Sequence, residues 1–236
     1  MQTHTLNDNL TQLTRIHFVN AFLVREDDGF TLVDTTISGG ADDPIEAAQA
    51  AGGTIRRIAL THGHGDHVGS LDALKQRLGD QVEVLMPEVD ARIHAGEKVT
   101  DRKLTGSWPK IQTTPDVRIN GGDRVGSLEV ISSPGHTPGH VAFLDTRDNT
   151  LIAGDVYTSY GSVQVSSHFY LRFPFAAMAT FDKPVDVESA RSLRTLDPAL
   201  LVVGHGPAVR DPGPAMDRAI ARAGGAPAAS DARARP

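Results

Sequence analysis

The residues with the clearest chemical meaning are three histidines and one aspartate that fall within six positions of the chain. They are His62, His64, Asp66 and His67. Spacings of two and five residues point imidazoles in different directions on a helix, where metal-binding pairs lie at i and i+4 on one face. An apolar run, residues 58–60, precedes them, and Gly63 and Gly65 tolerate backbone conformations that other residues do not. The pattern therefore predicts a metal-binding loop at the end of a strand.

Three more candidate ligands occupy the same kind of position further along the chain. His136, Asp155 and His205 each follow an apolar run that is typical of a strand. In layered α/β folds, functional sites assemble at the ends of strands, so these side chains are expected to meet the first four. Seven ligands without a thiolate exceed what one tetrahedral ion takes and suit two divalent ions that share an aspartate. The donor set favours zinc, with iron or manganese left open.

Length and composition exclude several other classes of protein. The 236 residues are 39% hydrophobic and 22% charged, which is enough for a buried core and unlike a disordered chain. A net charge of −6 without a long basic run disfavours a nucleic-acid partner. The absence of cysteine excludes disulfides, thiolate metal sites and a cysteine nucleophile.

Domain organisation and location are predicted from the same composition. We expect a single domain over residues 1–224 and a flexible tail over residues 225–236, which are rich in Ala, Arg and Pro. Residues 1–14 lack the basic and apolar regions of a signal peptide, and no run is long enough to span a membrane. The expectation is a cytoplasmic protein that acts on a small-molecule substrate without a membrane partner, and a homo-oligomer is left open.

Strand and helix patterns alternate along the chain, which predicts a layered α/β fold. Residues 15–25 and 124–131 are predicted strands, and residues 66–78 are a predicted helix because apolar residues recur there at helical spacing. Residues 96–115 have no clear period and are expected to form a surface loop that leans over the site. Residues 156–181 are expected to be an irregular excursion that holds several Phe and Tyr residues.

The motifs together resemble those of the metallo-β-lactamase-fold hydrolase superfamily, in its glyoxalase II and lactonase-like branch. The matching patterns are Thr-His-x-His-x-Asp-His from residue 61, Gly-His-Thr-Pro-Gly-His from residue 135, Gly-Asp at 154–155 and Gly-His-Gly at 204–206. The resemblance implies a four-layer αβ/βα sandwich, with two mixed β-sheets flanked by helices and a site along one sheet edge. It also implies two metal sites, with His62, His64 and His136 in the first, Asp66, His67 and His205 in the second, and Asp155 between them.

The implied function is a dinuclear metal-dependent hydrolase, in which a metal-bridging hydroxide attacks the carbonyl of an ester, lactone or thioester. By the same resemblance, Asp66 is expected to orient the hydroxide or to carry a proton. Antibiotic hydrolysis is not expected, because β-lactamases lack the bridging aspartate. The chain after His205 is too short for the helical substrate domain of glyoxalase II. Two alternatives stay open: a mononuclear iron oxidoreductase similar to persulfide dioxygenases, and a phosphodiesterase or nuclease.

Substrate contacts are predicted in the aromatic excursion. Tyr157 and Tyr160 lie where lactonase-like members place a tyrosine that hydrogen-bonds the substrate carbonyl, and either is a candidate catalytic residue. His168, Phe173 and Phe175 are candidate substrate-binding residues. Ordinary packing is the alternative for each of them, since aromatic side chains at this spacing also hold a helix against a sheet.

Several other residues have two possible interpretations from the sequence: support of the site or ordinary packing. His140 and Asp34 suit a position behind the ligands, since ligating imidazoles donate their other N–H to a carboxylate or carbonyl. Trp108 is more typical of a local packing anchor than of a ligand platform. His94 is more typical of a surface or core histidine.

Overall fold

Two β-sheets form the centre of the protein in the computed structural model, which describes residues 1–224. The predicted tail, residues 225–236, lies outside the described residues. The first sheet contains β1 (Gln2–Thr5), β2 (Leu10–Arg15), β3 (Val19–Glu26), β4 (Gly29–Val33), β5 (Ile55–Ala59), β6 (Glu83–Pro87) and β7 (Val117–Ile119) in spatial order. Strands β1 to β4 pair antiparallel and β4 to β7 pair parallel, so the sheet is mixed.

The second sheet is also mixed and has six strands. They are β8 (Arg124–Val125), β9 (Leu128–Ser132), β10 (Val141–Asp145), β11 (Thr150–Ile152), β14 (Leu200–Val202) and β15 (Val209–Arg210). Their spatial order is β15-β14-β11-β10-β9-β8, and only β11 and β14 pair parallel. A separate hairpin joins β12 (Tyr157–Thr158) to β13 (Gln164–Val165).

Within residues 1–224, seven α-helices cover the outer faces of the sheets or bridge their edges. They are α1 (Asp42–Ala50), α2 (Gly65–Val68), α3 (Leu71–Leu78), α4 (Glu88–His94), α5 (Phe175–Ala179), α6 (Lys183–Thr195) and α7 (Gly213–Arg222), with one 3-10 turn at Gly79–Gln81. One apolar cluster fills the space between the sheets and includes Phe22 and Phe143. A second packs α1, α3 and α4 on the first sheet, and a third packs α6 and α7 on the second. The predicted four-layer αβ/βα sandwich is confirmed.

The side-chain alternation of the strands builds these layers. Within β3, Phe22 and Val24 face the second sheet while Leu23 faces the helices, as the period of two requires. Within β10, Val141 and Phe143 face inward, and the alanine between them belongs to the outer cluster. Both faces of the central strands are therefore buried, which explains their nearly continuous apolar sequence.

Two predicted elements have different boundaries from those expected. The strand predicted from residue 15 begins at Val19, because Ile16 and His17 adopt left-handed φ angles of 42° and 71° and form the turn between β2 and β3. The helix predicted over 66–78 is divided into α2 and α3 by a break at Gly69 and Ser70. The chain is closely packed at this break, since a Cβ at Gly69 would lie 2.5 Å from the carbonyl oxygen of Gly65. Apolar spacing continues through this break, so periodicity alone did not indicate it.

Two more regions are more ordered than predicted. The strand predicted over 124–131 is a tight hairpin of β8 and β9, because the chain turns at Gly126, whose φ is +58°. The excursion over 156–181 contains the β12–β13 hairpin and α5 and is therefore only partly irregular. Among the helices of residues 1–224, none combines the length and apolar character needed to cross a membrane.

Candidate metal centre

Seven histidine and aspartate side chains from four separate segments of the chain meet where the two sheets end at a common edge. Four of them follow β5: His62 and His64 lie in the loop before α2, and Asp66 and His67 lie within α2. The others follow β9, β11 and β14. They are His62, His64, Asp66, His67, His136, Asp155 and His205. All the residues predicted from strand-end positions are thus brought together. Their ligating atoms form overlapping groups in which the atoms lie within 4.8 Å of one another.

The first group, which we call the three-histidine group, consists of His62, His64 and His136. All three rings are nearly or completely buried, and His64 Nδ1 lies 3.1 Å from His136 Nε2. The other ring nitrogen of each histidine has a polar neighbour: Thr61 Oγ1 at 3.0 Å from His62 Nδ1, the Thr105 carbonyl at 3.1 Å from His64 Nε2, and Thr180 Oγ1 at 3.1 Å from His136 Nδ1. These contacts fix the ring orientations and direct one nitrogen of each ring into the group.

The second group, which we call the aspartate group, consists of Asp66, His67 and His205. His205 Nε2 lies 3.2 Å from Asp66 Oδ2, and Asp66 is the most exposed ligand, with 37% of its side chain accessible. His67 Nδ1 lies 2.8 Å from Asp34 Oδ2, and His205 Nδ1 lies 3.2 Å from the Phe18 carbonyl. Asp34 also accepts hydrogen bonds from the amide and hydroxyl of Thr61, so it holds the start of the histidine loop as well.

Asp155 connects the two groups. Its Oδ2 lies 3.4 Å from His136 Nε2 and 3.1 Å from His205 Nε2, while its Oδ1 lies 3.4 Å from His67 Nε2. The backbone N–H of Asp155 donates to His140 Nε2 over 3.0 Å, so His140 supports this aspartate from behind. A Cβ at Gly204 would lie 2.1 Å from Asp155 Oδ1, which explains why glycine precedes His205.

Unpaired polar atoms in this cluster test whether a cation fits it. His62 Nε2, His67 Nε2 and Asp155 Oδ1 are buried and have no hydrogen-bond partner within residues 1–224. Buried polar atoms without partners are costly, and here they converge on one another. The five ligating imidazoles each have one nitrogen anchored and one directed into the cluster. The residues therefore fit divalent metal ions held by nitrogen and oxygen donors.

The electrostatics differ between the two groups. Burial lowers the pKa of His62 and His136 well below the ordinary range and that of His64 to about 4, so these imidazoles are neutral, as metal ligation requires. Burial also acts on His205, but the carboxylates of Asp155 and Asp66 outweigh it and raise its pKa to about 9. The aspartate group therefore attracts positive charge, whether a proton or a metal ion supplies it.

A cavity of about 860 Å³ opens onto the cluster. His64, Asp66, His136, Asp155 and His205 line its floor. Its walls are mostly apolar and include Phe18, Ile37, Phe173, Phe175, Ala176 and Met178. The remaining wall comes from the loop over 96–115, through Gly106, Ser107, Pro109 and Lys110. The cavity thus has histidine and aspartate side chains at its floor and a mostly apolar surface around them.

The loop over 96–115 leans over the site, as predicted. The Thr105 carbonyl lies within hydrogen-bond distance of both His64 Nε2 and Trp108 Nε1, and the Thr105 hydroxyl donates to the Ala179 carbonyl over 2.6 Å. A Cβ at Gly106, whose φ is +72°, would lie 2.4 Å from His64 Nε2. The loop therefore joins α5 to the histidine loop, and Trp108 packs within it as a local anchor, 5.2 Å from the His64 ring.

Comparison with known proteins agrees with the site. The family model of the metallo-beta-lactamase superfamily matches residues 14–205. The chain belongs to this superfamily. The relatives of this metallo-β-lactamase superfamily member include Uncharacterized protein YobT of Bacillus subtilis (strain 168), which is 40% identical over 220 residues, 91% of this chain and 94% of YobT. A hydroxyacylglutathione hydrolase of Rhodopseudomonas palustris (strain BisB5) is 31% identical over 182 residues, 71% of this chain and 58% of that enzyme.

A solved structure has a similar fold. TTHA1623 in a di-iron-bound form superposes with a TM-score of 0.64 and 28% identity, covering 86% of this chain and 94% of that one. The resemblance to the metallo-β-lactamase fold that the four motifs indicated is therefore confirmed.

The substrate residues predicted in this superfamily member divide into two sets. Phe173 and Phe175 line the cavity, and the Phe173 ring lies 5.0 Å from the His205 ring. Tyr157, Tyr160 and His168 do not line it. Tyr157 is completely buried, and its hydroxyl donates to the Ala190 carbonyl over 2.6 Å, on the side of β12 that packs on α6. The Tyr157 hydroxyl is therefore bound to α6 and does not face the cavity.

Tyr160 and His168 lie outside the cavity for different reasons. The Tyr160 ring packs against Phe18 and Phe173 at centroid distances of 6.0 and 5.6 Å, so it supports the aromatic wall from behind. His168 is half-buried after the β12–β13 hairpin, where its backbone N–H donates to the Val165 carbonyl. Neither position supports a direct role in catalysis or substrate binding.

Three residues that contact the site were not predicted from the sequence. Phe18 lies over the aspartate group because the turn at Ile16 and His17 directs it there, and left-handed turns at non-glycine residues have weak sequence signals. His94 Nε2 lies 2.9 Å from the Gly63 carbonyl, so His94 supports the histidine loop. Asp90, completely buried in α4, accepts hydrogen bonds from two ligand loops, and burial raises its pKa to about 6 despite those bonds.

Proposed function

We propose that this chain is a dinuclear metal-dependent hydrolase of a carboxylic ester, lactone or thioester that has an apolar portion. The single observation that carries the proposal is the position of Asp155, whose carboxylate contacts both ligand groups on the floor of one largely apolar cavity. The name of the Rhodopseudomonas palustris relative, hydroxyacylglutathione hydrolase, supports a hydrolytic reaction. That relative is matched over 58% of its length, so its substrate is not carried over to this chain.

Two divalent ions would be held by the three-histidine group and the aspartate group, with Asp155 as a ligand to both. When bound, they would supply an activated water and an electrophile that polarises the substrate carbonyl. Zinc suits this nitrogen and oxygen donor set. Iron is the second candidate, supported by the di-iron-bound form of TTHA1623.

Asp66 is the residue best placed to handle a proton in the reaction. Burial acts to raise its pKa, but the neighbouring His67 and His205 imidazoles outweigh this effect and keep the pKa below its ordinary value. Its carboxylate therefore stays ionised at neutral pH, and its partial exposure lets it accept a hydrogen bond from a water in the cavity. In this role Asp66 orients the water and passes its proton on to the leaving group.

The apolar wall provides affinity for the acyl or alcohol portion of the substrate. Phe175 and Met178 are 66% and 67% exposed, although large apolar side chains are usually buried. Both line the cavity together with Phe173. Substrate binding would remove this surface from water, which contributes about 25 cal/mol per Å² of apolar area.

A phosphodiesterase function fits the cavity less well. Apart from histidines, Lys110 is the only cationic side chain among the described residues that line it, and the chain has a net charge of −6. Phosphodiester substrates carry negative charge along their length and are bound through several Lys and Arg contacts. The mononuclear iron alternative is also disfavoured, because the aspartate group keeps all three of its ligands.

A substrate panel tests the proposal. Protein saturated with Zn²⁺, and separately with Fe²⁺ under anaerobic conditions, is assayed with acyl-homoserine lactones, S-acyl glutathiones, aryl esters and bis-p-nitrophenyl phosphate. We expect turnover of at least one carbonyl class, with kcat/KM rising with acyl length. Activity confined to the phosphodiester, or oxygen consumption with a persulfide in place of hydrolysis, would contradict the proposal.

A further inference from the structure

The completely buried carboxylate of Asp90 contacts two loops that lie far apart in sequence. Its Oδ2 accepts hydrogen bonds from the Gly63 amide over 2.9 Å and from the Thr137 hydroxyl over 2.7 Å. Its Oδ1 accepts one from the Gly139 amide over 2.8 Å. Hydrogen bonds to an ionised acceptor are about twice as strong as those between neutral groups, so this contact holds both loops firmly.

The close approach of these loops to α4 depends on a glycine of the second motif. A Cβ at Gly139 would lie 2.6 Å from Asp90 Oδ1 and 2.7 Å from the Asp90 amide nitrogen. Any larger residue there would push the loop away from α4. Thr137 and Gly139, which are not ligands, therefore belong to the motif around His136 because they bind Asp90.

The donors to Asp90 are adjacent to each member of the three-histidine group. Gly63 lies between His62 and His64 in the chain, and Thr137 directly follows His136. None of the three donors belongs to the aspartate group, where Asp34 holds His67 instead. Asp90 is thus the point at which the His62–His64 segment and the His136 loop are tied to one another.

We propose that Asp90 is the positioning residue of the three-histidine metal site: its carboxylate fixes the separation between the His62–His64 segment and the His136 loop. Asp90 does not touch the ligating nitrogens and acts only through the backbone and hydroxyl groups that it binds. The inference rests on the metal binding of the proposed function. It adds that Asp90 supports the first metal site alone, whereas Asp34 contacts both His67 of the second site and Thr61, which precedes His62.

The test compares metal affinity at the two sites in Asp90→Asn. Asparagine has the same size, but its amide group replaces one acceptor oxygen with a donor that faces another N–H or O–H. Stepwise Zn²⁺ binding is measured by competition with a chelator, and the visible spectrum of the Co²⁺-loaded protein reports the coordination geometry. We expect the affinity of the three-histidine site to fall about 10- to 100-fold. The aspartate site should change by less than about threefold, and the Co²⁺ spectrum of the first site should change.

Two controls separate positioning from a general loss of stability. Asp145 is also buried, but its carboxylate binds Arg147 and no other residue among 1–224, at the end of β10 away from the ligand loops. Asp145→Asn should therefore lower stability without changing either metal affinity. Thr137→Val removes one hydrogen bond to Asp90, whereas Thr137→Ser keeps the hydroxyl. We expect Thr137→Val to lower the metal affinity of the first site, as Asp90→Asn does. Thr137→Ser should keep the wild-type affinity.

The outcomes distinguish this inference from the proposed function. If the wild-type protein binds two ions and Asp90→Asn binds both with unchanged affinity and spectrum, the inference is overturned while the proposed function stands. Equal weakening of both sites in Asp90→Asn, Thr137→Val and Asp145→Asn would also overturn it, since the effect would then be one of stability. A wild-type protein that binds no divalent ion would overturn the proposed metal centre itself.

Discussion

The two ligand groups of the site both contain histidines but differ in burial, charge and access to solvent. The three-histidine group is buried, has neutral imidazoles and is held from behind by the Thr105 carbonyl and Thr180. The aspartate group is rich in carboxylate, includes the partly exposed Asp66 and faces the aromatic wall through His205. The Asp155 carboxylate contacts histidines of both groups.

This difference indicates a division of labour between the two groups. Neutral, rigidly anchored imidazoles suit a metal that stays bound throughout the reaction cycle. Under the proposed function, the group with the partly exposed Asp66 suits the metal nearer the substrate, because a cation there would stabilise the negative charge that develops on the substrate oxygen. We therefore expect substitutions on the two sides to have different effects on metal content, substrate affinity and stability.

The largest effect is expected for Asp155→Ala, which removes the ligand common to both groups. Both metals should be lost or misplaced, and kcat/KM should fall about a thousandfold or more, since each metal contributes several kcal/mol to transition-state stabilisation. Metal content and kcat/KM of the best substrate check this prediction. The matched control is Asp66→Ala, which should lose only the metal of the aspartate group. Retention of two tightly bound ions by Asp155→Ala would remove the basis for a shared ligand.

A smaller and more selective effect is expected for Phe173→Ala, next to the aspartate group. Phe173 lines the cavity and is 6% exposed, so its replacement by alanine removes apolar surface from the apolar wall of the cavity. The KM for long acyl chains should rise about tenfold, corresponding to about 1.4 kcal/mol, while kcat and the KM for short chains should stay within about twofold.

The control for Phe173→Ala is Leu171→Ala. Leu171 is 84% exposed and does not line the cavity, so its substitution should leave both KM values unchanged. An equal rise in KM for short and long substrates in Phe173→Ala would show that the ring acts through its contact with His205. In that case the account of the apolar wall would need revision.

The smallest effect on activity is expected for Asp186→Asn, behind the three-histidine group. Asp186 is completely buried in α6, its Oδ2 accepts a hydrogen bond from the Ser167 amide, and its backbone packs against Gly135. Burial raises the pKa of Asp186 to about 8, above its ordinary value of 3.8. The folded protein therefore holds this proton up to about pH 8, whereas the unfolded chain releases it near pH 4.

The sign of the pH dependence follows from this difference. As pH rises from about 4 to about 8, the wild-type protein loses stability relative to Asp186→Asn, whose neutral amide does not titrate. Chemical denaturation of both proteins with a chelator present should show a stability difference that grows by about 5 kcal/mol over this range, given about 1.4 kcal/mol per pKa unit. Metal content should match the wild type. A difference independent of pH would mean that Asp186 is ionised throughout.

The parts of the site that follow from strand ends were predictable from sequence. His62, His136, Asp155 and His205 each follow a buried strand, and the strand order of a layered fold brings such positions to one edge. The four-layer architecture was predictable for the same reason, because alternating apolar patterns determine which faces are covered.

The parts that depend on packing across the site were not predictable in this way. Tyr157 and Phe173 are both aromatic residues of the same excursion, yet one packs under α6 and the other faces the cavity. Tyr157 lies in the β12–β13 hairpin, whose two-residue strands are too short to show a period, and Phe173 lies in the irregular segment between that hairpin and α5. Asp90 was missed because it lies in a helix without a motif, and its partners are distant in sequence.

The most direct test of the account is the number of divalent ions that the chain binds. Wild-type protein and Asp66→Ala are saturated with Zn²⁺, freed of excess metal and measured by elemental analysis. The account predicts about two ions per wild-type chain and about one in Asp66→Ala. One tightly bound ion per chain in both proteins would contradict it, because the aspartate group would then hold no metal and the hydrolytic centre would not be dinuclear.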